Sequence, residues 1–163
     1  MLPKLQYHVE PQKGWLNDPN GLCYFKGKYH AFFQHHPEAT QWTAPMHWAH
    51  AVSEDLIHWE ELPLALVPDM PYESTLGCFS GSAVEKDGKL YLFYTAVGEN
   101  LAQTQCLATS EDGLHFVKHP GNPIIPQSPV DPQSLDFRDP KVFPWEDGTY
   151  RMVCGVGRDG LAA

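Results

Sequence analysis

The amino-acid sequence predicts an all-β fold of repeated blades, a β-propeller, from three observations. The segment G-K-Y-H-A-F-F at Gly27 returns in similar form at Gly88 and Gly148, at spacings of 61 and 60 residues. A second marker, S-E-D-x-x-H followed by Trp or Phe, begins at Ser53 and is repeated from Ser110. No segment of helical length shows the apolar period of a helix. Two independent markers with nearly the same period indicate a structural repeat of about 60 residues.

Each repeat contains short segments with the composition of β-strands, rich in aromatic and β-branched residues and bounded by turn residues. They are residues 22–26, 29–34, 47–52 and 58–62 in the first repeat, and 82–85, 90–96, 105–109 and 116–119 in the second. Tight hairpin turns are predicted at Lys26-Gly27, Asp87-Gly88 and Asp147-Gly148. Four strands per repeat are typical of one propeller blade.

The length of the chain limits how much of a propeller it can form. Its 163 residues hold two complete repeats and the first half of a third. A propeller has about 4–8 blades, so a chain of this length cannot close the ring alone. We therefore interpret residues 1–163 as the N-terminal part of one β-propeller domain, with the remaining blades absent. A different β fold, or a ring assembled from several copies, is the alternative.

The composition excludes several classes of function. The chain has 20 acidic and 11 basic residues, a formal net charge of -9, and no basic run. Nucleic-acid binding needs clustered Lys and Arg, so we expect no nucleic-acid partner. No apolar run of about 18 residues is present, so we expect no membrane partner. No secretory signal is visible near Met1, which predicts a cytoplasmic location. The four cysteines lie in apolar runs without a C-x-x-C pair, which predicts reduced core thiols.

Two aspartates occupy equivalent places in the repeat. Asp18 lies nine residues before Gly27, and Asp139 lies nine residues before Gly148. The corresponding place in the middle repeat holds Phe79, followed by a serine. Equivalent strand positions on neighbouring blades surround one central pocket, so two carboxylates are expected to converge there, as acid–base or nucleophilic chemistry on a sugar requires. The alternative interpretation is that the Asp-Pro pairs are ordinary turn dipeptides.

The sequence around these aspartates resembles a known enzyme family. The heptapeptide W-L-N-D-P-N-G at residues 15–21 resembles the signature of glycoside hydrolase family 32, which contains invertases, levanases and sucrose-6-phosphate hydrolases. Further matching segments follow in the family order at residues 29–34, 44–51, 55–59, 79–83 and 138–140. The resemblance extends from residue 7 to about residue 160, and it is strongest to the sucrose-6-phosphate hydrolases.

The resemblance implies a five-bladed β-propeller, usually followed by a β-sandwich, of which this chain covers about two and a half blades. It implies a small-molecule sugar as substrate and hydrolysis of terminal β-D-fructofuranosyl residues with retention of configuration. No cofactor is expected. The oligomeric state and the choice among sucrose, sucrose-6-phosphate and fructan stay open.

The resemblance also implies the roles of individual residues. Asp18 matches the nucleophile that attacks the anomeric carbon, and Asn17 is a candidate donor that keeps its carboxylate ionised. Asp139 matches the transition-state stabiliser that binds fructose hydroxyls. Arg138 either orients the sugar and the carboxylates or forms a salt bridge that organises the blade. The positions that match sugar-binding residues are Gln34, Trp42, Phe79 and Ser80.

One part of the family's site is missing from the sequence. The general acid/base is a glutamate in a Glu-Cys pair about one blade beyond Asp139, and this chain contains no such pair. Glu99 and Glu146 lie in predicted turns and lack a following cysteine. We therefore expect the chain to be inactive alone. The alternatives are a propeller glycosidase acting on arabinose or xylose and a non-catalytic carbohydrate-binding or truncated propeller protein. The histidines are not expected to bind a metal, because His35 and His36 point to opposite faces of a strand.

Overall fold

A computed structural model describes residues 5, 7–158 and 161–162 of the protein. These residues form three antiparallel sheets, and the helical structure among them consists of two short 3-10 turns at Pro71–Glu73 and Glu99–Leu101. Sheet 1 contains β1 (Trp15–Phe25), β2 (Lys28–His36), β3 (His47–Ser53) and β4 (Glu60–Leu66). Sheet 2 contains β5 (Gly77–Lys86), β6 (Lys89–Val97), β7 (Gln103–Ser110) and β8 (Val117–Lys118). Sheet 3 contains β9 (Phe137–Pro144), β10 (Tyr150–Arg158) and β11 (Leu161–Ala162).

The strands of each sheet follow one another in chain order, β1-β2-β3-β4, β5-β6-β7-β8 and β9-β10-β11. Sequential antiparallel strands of this kind form the blades of a propeller. Two of the three predicted tight hairpins are present: Lys26 and Asp87 have positive φ angles of 45° and 53°, and a glycine with positive φ follows each of them. Two consecutive residues with positive φ are the signature of the type I′ turn. At the third predicted site, β9 and β10 form a hairpin with a longer loop, residues 145–149, in which Gly148 alone has a positive φ.

The strands differ from the predicted segments mainly at their ends. Strand β1 begins at Trp15, seven residues before the predicted segment 22–26. Pro19 and Gly21 lie inside this strand, where the sequence suggested a turn. Irregular pairing between β1 and β2 accommodates both residues, because a proline or glycine is tolerated where a strand bulges.

The S-E-D-x-x-H marker forms the connection between the third and fourth strands. In sheet 1, Asp55 accepts hydrogen bonds from the backbone N–H groups of Ile57 and His58 and from the His58 ring. These hydrogen bonds hold the pKa of Asp55 below its usual value, and the two bonds from His58 make the largest contributions. Asp112 and His115 make the same contacts in sheet 2. The repeated marker is therefore a turn whose polar side chains replace missing backbone partners.

The main core lies between sheets 1 and 2. Its largest fully buried side chains are aromatic or aliphatic and come from both sheets, among them Trp48, Phe32, Tyr94, Leu90 and Leu92. Removing these side chains from water supplies the main stabilisation of the interface between the two sheets. Of the cysteines, Cys78 and Cys106 are buried and Cys23 and Cys154 are half-buried, all as free thiols.

The first strands of the sheets lie side by side, β1 against β5 and β5 against β9. On the face of sheet 1 that points away from sheet 2 lies an apolar groove, whose lining includes Leu22, Tyr24, Leu56 and Trp59. Leu22 is 65% exposed and Tyr24 is 59% exposed. Neither helical turn within the described ranges has the length and apolar character needed to cross a membrane.

Candidate active site

Each of the three first strands contains a β-bulge at the place where the sequence predicted chemistry. In β1 the regular pairing with β2 stops at Leu16 and resumes at Pro19, so Asn17 and Asp18 share one partner position, Gln34. A bulge of this kind turns a side chain out of the regular alternation of a strand.

The other two first strands repeat this arrangement. In β5 the extra residue is Ser80, between the paired residues Phe79 and Gly81. In β9 the residues Asp139 and Pro140 lie opposite a single residue of β10. The three first strands are neighbours, and a hydrogen bond from Ser80 to Asp18 joins the bulges of β1 and β5 directly. The bulges of β1 and β9 contain Asp18 and Asp139, the positions that the repeat predicted. In β5 the extra residue is Ser80, one position beyond the predicted Phe79.

Asp18 is held by a residue of the neighbouring sheet. The hydroxyl of Ser80 donates a hydrogen bond of 2.8 Å to Asp18 Oδ2. The sequence suggested Asn17 as a donor to this carboxylate, but the contact made by Asn17 in the structure is different: its Oδ1 accepts a hydrogen bond of 2.7 Å from Trp15 Nε1. The bulge explains this difference, because it brings Ser80 to Asp18 across the sheet boundary.

Asp139 has a left-handed backbone conformation, with φ of 60°. Its N–H donates a hydrogen bond of 3.1 Å to Thr95 Oγ1 of sheet 2. Burial raises the pKa of Asp139, Arg138 acts in the opposite direction, and the charge of Asp18 raises it further. The two carboxylates are therefore close enough for their charges to interact.

Arg138 lies beside the carboxylate of Asp139, but too far from it for a hydrogen bond. Its Nε is 3.9 Å from Asp139 Oδ2. Its guanidinium group also donates hydrogen bonds to Asp136 Oδ1 and, at 3.4 Å, to Gln103 Oε1. Arg138 thus has both features considered from the sequence, a contact with the carboxylate and an ion pair within the blade.

The remaining predicted sugar-binding residues lie on different elements. Gln34 is buried on β2, where its Nε2 donates a hydrogen bond of 2.6 Å to the carbonyl oxygen of Cys78. Phe79 precedes the bulge of β5, and its carbonyl oxygen accepts a hydrogen bond of 3.0 Å from Trp48 Nε1. Trp42 lies in the connection between β2 and β3 and is 48% exposed. Their contacts with a sugar stay predictions.

Several residues that organise the site were missed from the sequence. They are polar residues of sheets 1 and 2, buried except for the half-buried Gln103, that make hydrogen bonds to the bulged strands: Asn20, Ser82, Thr95, Gln103 and Gln105. Asn20 Oδ1, for example, accepts the N–H of Gly81 at 3.2 Å and so joins β1 to β5. The available signal was the presence of polar residues inside otherwise apolar strand segments, because a buried polar group requires a partner.

The histidines of sheet 1 are occupied by contacts within the protein. His35 Nδ1 lies 2.8 Å from the carbonyl oxygen of Trp15. His50 Nε2 lies 2.9 Å from His30 Nδ1, and His30 Nε2 lies 3.3 Å from the carbonyl oxygen of Phe25. These contacts assign the N–H to Nε2 in both His30 and His50. No group of three or more His, Cys, Asp or Glu side chains suited to a metal ion occurs in the part of the chain that the structure describes.

A comparison with protein families identifies the relationship. The model of the "Glycosyl hydrolases family 32 N-terminal domain" matches residues 8–163. The chain belongs to glycosyl hydrolase family 32. The resemblance inferred from the W-L-N-D-P-N-G segment is therefore confirmed over nearly the whole chain.

Individual members of family 32 support the same assignment. The raffinose invertase of Escherichia coli is 48% identical over 158 residues, which cover 92% of this chain and 32% of the relative. A sucrose-6-phosphate hydrolase of Zymomonas mobilis is 46% identical over 160 residues, which cover 94% of this chain and 30% of the relative. The chain thus spans about a third of the length of these relatives.

A solved structure agrees with the fold. The family 32 β-fructofuranosidase of Bombyx mori, as a mutant in complex with sucrose, matches with a TM-score of 0.83 and 41% identity. The match covers 94% of this chain and 32% of the Bombyx chain. The all-β propeller architecture predicted from the repeat is confirmed, with two complete blades and part of a third.

Proposed function

We propose that the protein carrying this chain hydrolyses terminal β-D-fructofuranosyl residues by a retaining double-displacement mechanism. The observation that supports this most strongly is the pair of bulges that place Asp18 and Asp139 within range of each other's charge. A retaining glycosidase needs one carboxylate as nucleophile, and a second carboxylate beside it can stabilise the positive charge that develops on the sugar ring.

Asp18 is the proposed nucleophile. Its carboxylate attacks the anomeric carbon of the fructosyl unit, the bond to the leaving sugar breaks, and a covalent fructosyl-enzyme forms. The hydrogen bond from Ser80 fixes the orientation of Asp18, because it engages Oδ2 and leaves Oδ1 for attack. Water then attacks the same carbon from the opposite side, releases fructose and restores the configuration.

Asp139 is the proposed transition-state stabiliser. A carboxylate that accepts hydrogen bonds from fructose hydroxyls interacts more strongly as positive charge develops on the ring, and this difference accelerates the reaction. Arg138, 3.9 Å from its Oδ2, favours the charged form of this carboxylate. Gln34, Trp42 and Phe79 are proposed to complete the fructosyl subsite, with the indole of Trp42 stacking on the sugar.

The proton donor to the leaving sugar is proposed to be a glutamate of the family's Glu-Cys pair, which is not among the 163 residues of this chain. General acid catalysis is typically worth about 10²–10⁴-fold in rate. We therefore expect the 163-residue chain alone to release no more fructose than its Asp18→Asn variant.

The experiment measures fructose release by the whole protein from sucrose, sucrose-6-phosphate and a fructan. We expect Asp18→Asn to lower kcat by at least about 10³-fold, because an amide is a poor nucleophile. Asp87→Asn is the matched control, since Asp87 lies in the β5–β6 hairpin with a φ of 53° that asparagine also tolerates.

The covalent step has its own readout. Rapid quenching of the reaction followed by mass spectrometry should find a fructosyl adduct on the peptide that contains Asp18, and none in Asp18→Asn. Full activity of Asp18→Asn, or an adduct on another peptide, would refute the assignment of the nucleophile.

A further inference from the structure

The segment that carries Asp139 is anchored by side chains of the neighbouring sheet. Phe137 N–H donates to Gln103 Oε1 at 2.9 Å, and Phe137 C=O accepts from Gln105 Nε2 at 2.7 Å. Two residues further on, Asp139 N–H donates to Thr95 Oγ1 at 3.1 Å. Side chains here supply the partners that backbone groups would supply within a sheet.

A serine completes these contacts beyond the bulge. Ser82 Oγ donates to the carbonyl oxygen of Pro140 at 2.8 Å and accepts the N–H of Val142 at 3.0 Å. We refer to the four side chains that hold the β9 backbone as the polar clamp: Ser82, Thr95, Gln103 and Gln105. All four belong to sheet 2, so sheet 2 determines where the carboxylate of sheet 3 lies.

Thr95 and Gln105 are joined to each other inside the clamp. Thr95 Oγ1 donates a hydrogen bond of 2.9 Å to Gln105 Oε1, and both residues are fully buried. A hydroxyl has a single proton, so this donation directs the oxygen lone pairs of Thr95 to the N–H of Asp139. The same contact orients the Gln105 amide so that its Nε2 points to the carbonyl oxygen of Phe137. Each bond therefore fixes the direction of the next.

The backbone of Asp139 requires such support. A φ of 60° is unfavourable for a residue with a Cβ atom, and conformations of this kind persist where the surroundings hold them. The N–H of Asp139 is held by Thr95, directly at the strained residue. Without that bond, the peptide could rotate toward a relaxed conformation, and the carboxylate would move away from Asp18.

We propose that Thr95 and Gln105 are positioning residues that act through Asp139, by holding its left-handed backbone so that the carboxylate faces the reacting sugar. This inference rests on the proposed function, because it assigns the two residues a part in the same reaction. It goes further in placing determinants of catalysis in the buried interior of sheet 2, away from the sugar.

The test compares three variants of the whole protein. Thr95→Val removes the hydroxyl and keeps the shape, and Thr95→Ser restores the hydroxyl. Thr104→Val is the matched control: Thr104 is also nearly buried in sheet 2, and its Oγ1 lies 4.0 Å from Cys106 Sγ. Each variant is assayed for kcat and KM on the best fructoside and for its thermal unfolding midpoint.

We expect Thr95→Val to lower kcat by about 10–100-fold, because a displacement of about 1 Å at a reacting group has an effect of this size. KM should change less than kcat, because the lost interaction is strongest in the transition state. Thr95→Ser should recover most of the activity, and Thr104→Val should stay within about twofold of the unmodified protein. A kcat for Thr95→Val equal to that of Thr104→Val would overturn the proposal, and so would a loss that Thr95→Ser does not restore.

A second measurement separates this inference from the proposed function. Hydrogen–deuterium exchange of residues 137–142 reports the bonds of the clamp whether or not any fructoside is cleaved. Faster exchange in Thr95→Val than in Thr104→Val supports the positioning of Asp139 even if the unmodified protein hydrolyses none of the three substrates. Equal exchange in the two variants, with or without activity, contradicts the inference.

Discussion

Sheets 1 and 2 have the same strand order and the same marker turn, yet their interiors differ. The turns at Asp55 and Asp112 make matching hydrogen bonds. The position opposite the central aromatic residue of the second strand is His50 in sheet 1 and Leu107 in sheet 2. The repeat thus retains the turn that joins the outer strands, while the core and the bulge residues differ. The proposed catalytic residues therefore lie where the two sheets differ, at the bulges.

The largest expected difference between the sheets is in their response to acid. Burial, and to a lesser degree the neighbouring His30, lower the pKa of His50 to about 3 from an ordinary value of 6.5. As the pH falls, His50 therefore binds a proton in the unfolded chain at a higher pH than it does in the folded protein. The stability that His50 confers is complete above pH 6.5 and is lost progressively toward pH 3. Between pH 6.5 and pH 5, we expect the free energy of unfolding to fall by about 2 kcal/mol.

His50→Leu tests this by giving sheet 1 the residue found in sheet 2. At pH 7.5 the variant should be less stable by about 1–2 kcal/mol, because His30 loses its partner. Its stability should depend less on pH between 6.5 and 5 than that of the unmodified protein, as measured by denaturant titration. An unchanged dependence would exclude His50 as the cause.

The second difference concerns the left-handed position of the marker turn, which is Gly113 with φ of 77° in sheet 2. A Cβ atom at Gly113 would lie 3.0 Å from His30 Cε1 and 3.0 Å from Phe25 Cδ1. We expect Gly113→Ala to destabilise the protein by about 1–2 kcal/mol, because strain and crowding add. Gly88→Ala is the comparison: Gly88 also has positive φ, but nothing lies within 4 Å of the added atom. Equal losses in both variants would show that crowding against sheet 1 is unimportant.

The third difference lies in the bulges themselves, Asp18 in β1 and Ser80 in β5. Ser80→Ala removes the donor to Asp18 Oδ2. Hydrogen bonds to charged groups are worth about 1.5–3 kcal/mol, so we expect kcat/KM for fructose release to fall by at least about tenfold. Ser74→Ala, an exposed serine near the start of sheet 2, is the control. Unchanged kinetics in Ser80→Ala would mean that this bond does not orient the nucleophile.

The smallest effect is expected at Leu56, which has a φ of 65° at the turn position equivalent to Gly113. Leu56→Gly relieves the left-handed strain but increases the freedom of the unfolded chain, and these effects nearly cancel. The free energy of unfolding should change by less than about 0.5 kcal/mol in a denaturant titration. A loss above about 1 kcal/mol would instead assign the leucine side chain a packing role in the groove of sheet 1.

The repeat made most of the fold predictable. Segments 29–34 and 90–96 lie inside β2 and β6, and both complete sheets have the strand number that the period indicated. The distances to the repeated glycines identified Asp18 and Asp139, because such distances are preserved in a structural repeat. In β5 the same distance indicated Phe79, and the bulge lies one residue further on, at Ser80. These features depend on local sequence, and local sequence was sufficient for them.

The start of β1 and the polar clamp could not be predicted in the same way. A proline and a glycine at positions 19 and 21 indicate a turn by their intrinsic preferences, and the bulges that accommodate them depend on pairing with β2. Thr95 and Gln105 were recognisable as polar residues in apolar segments, but their partners belong to another sheet. The packing of sheets against each other decides such contacts, and no periodicity encodes it.

The bulge at Asp18 implies that the arrangement of this site is sensitive to the number of residues in the strand as well as to their identity. Deletion of Asn17 would restore regular pairing between Leu16 and Pro19, with one residue left opposite Gln34. The aspartate would still be present, flanked by the same proline, but strand alternation rather than the bulge would now set its direction. An insertion or deletion of one residue could therefore create or abolish such a carboxylate pair during the divergence of duplicated blades, with every acidic residue of the chain retained.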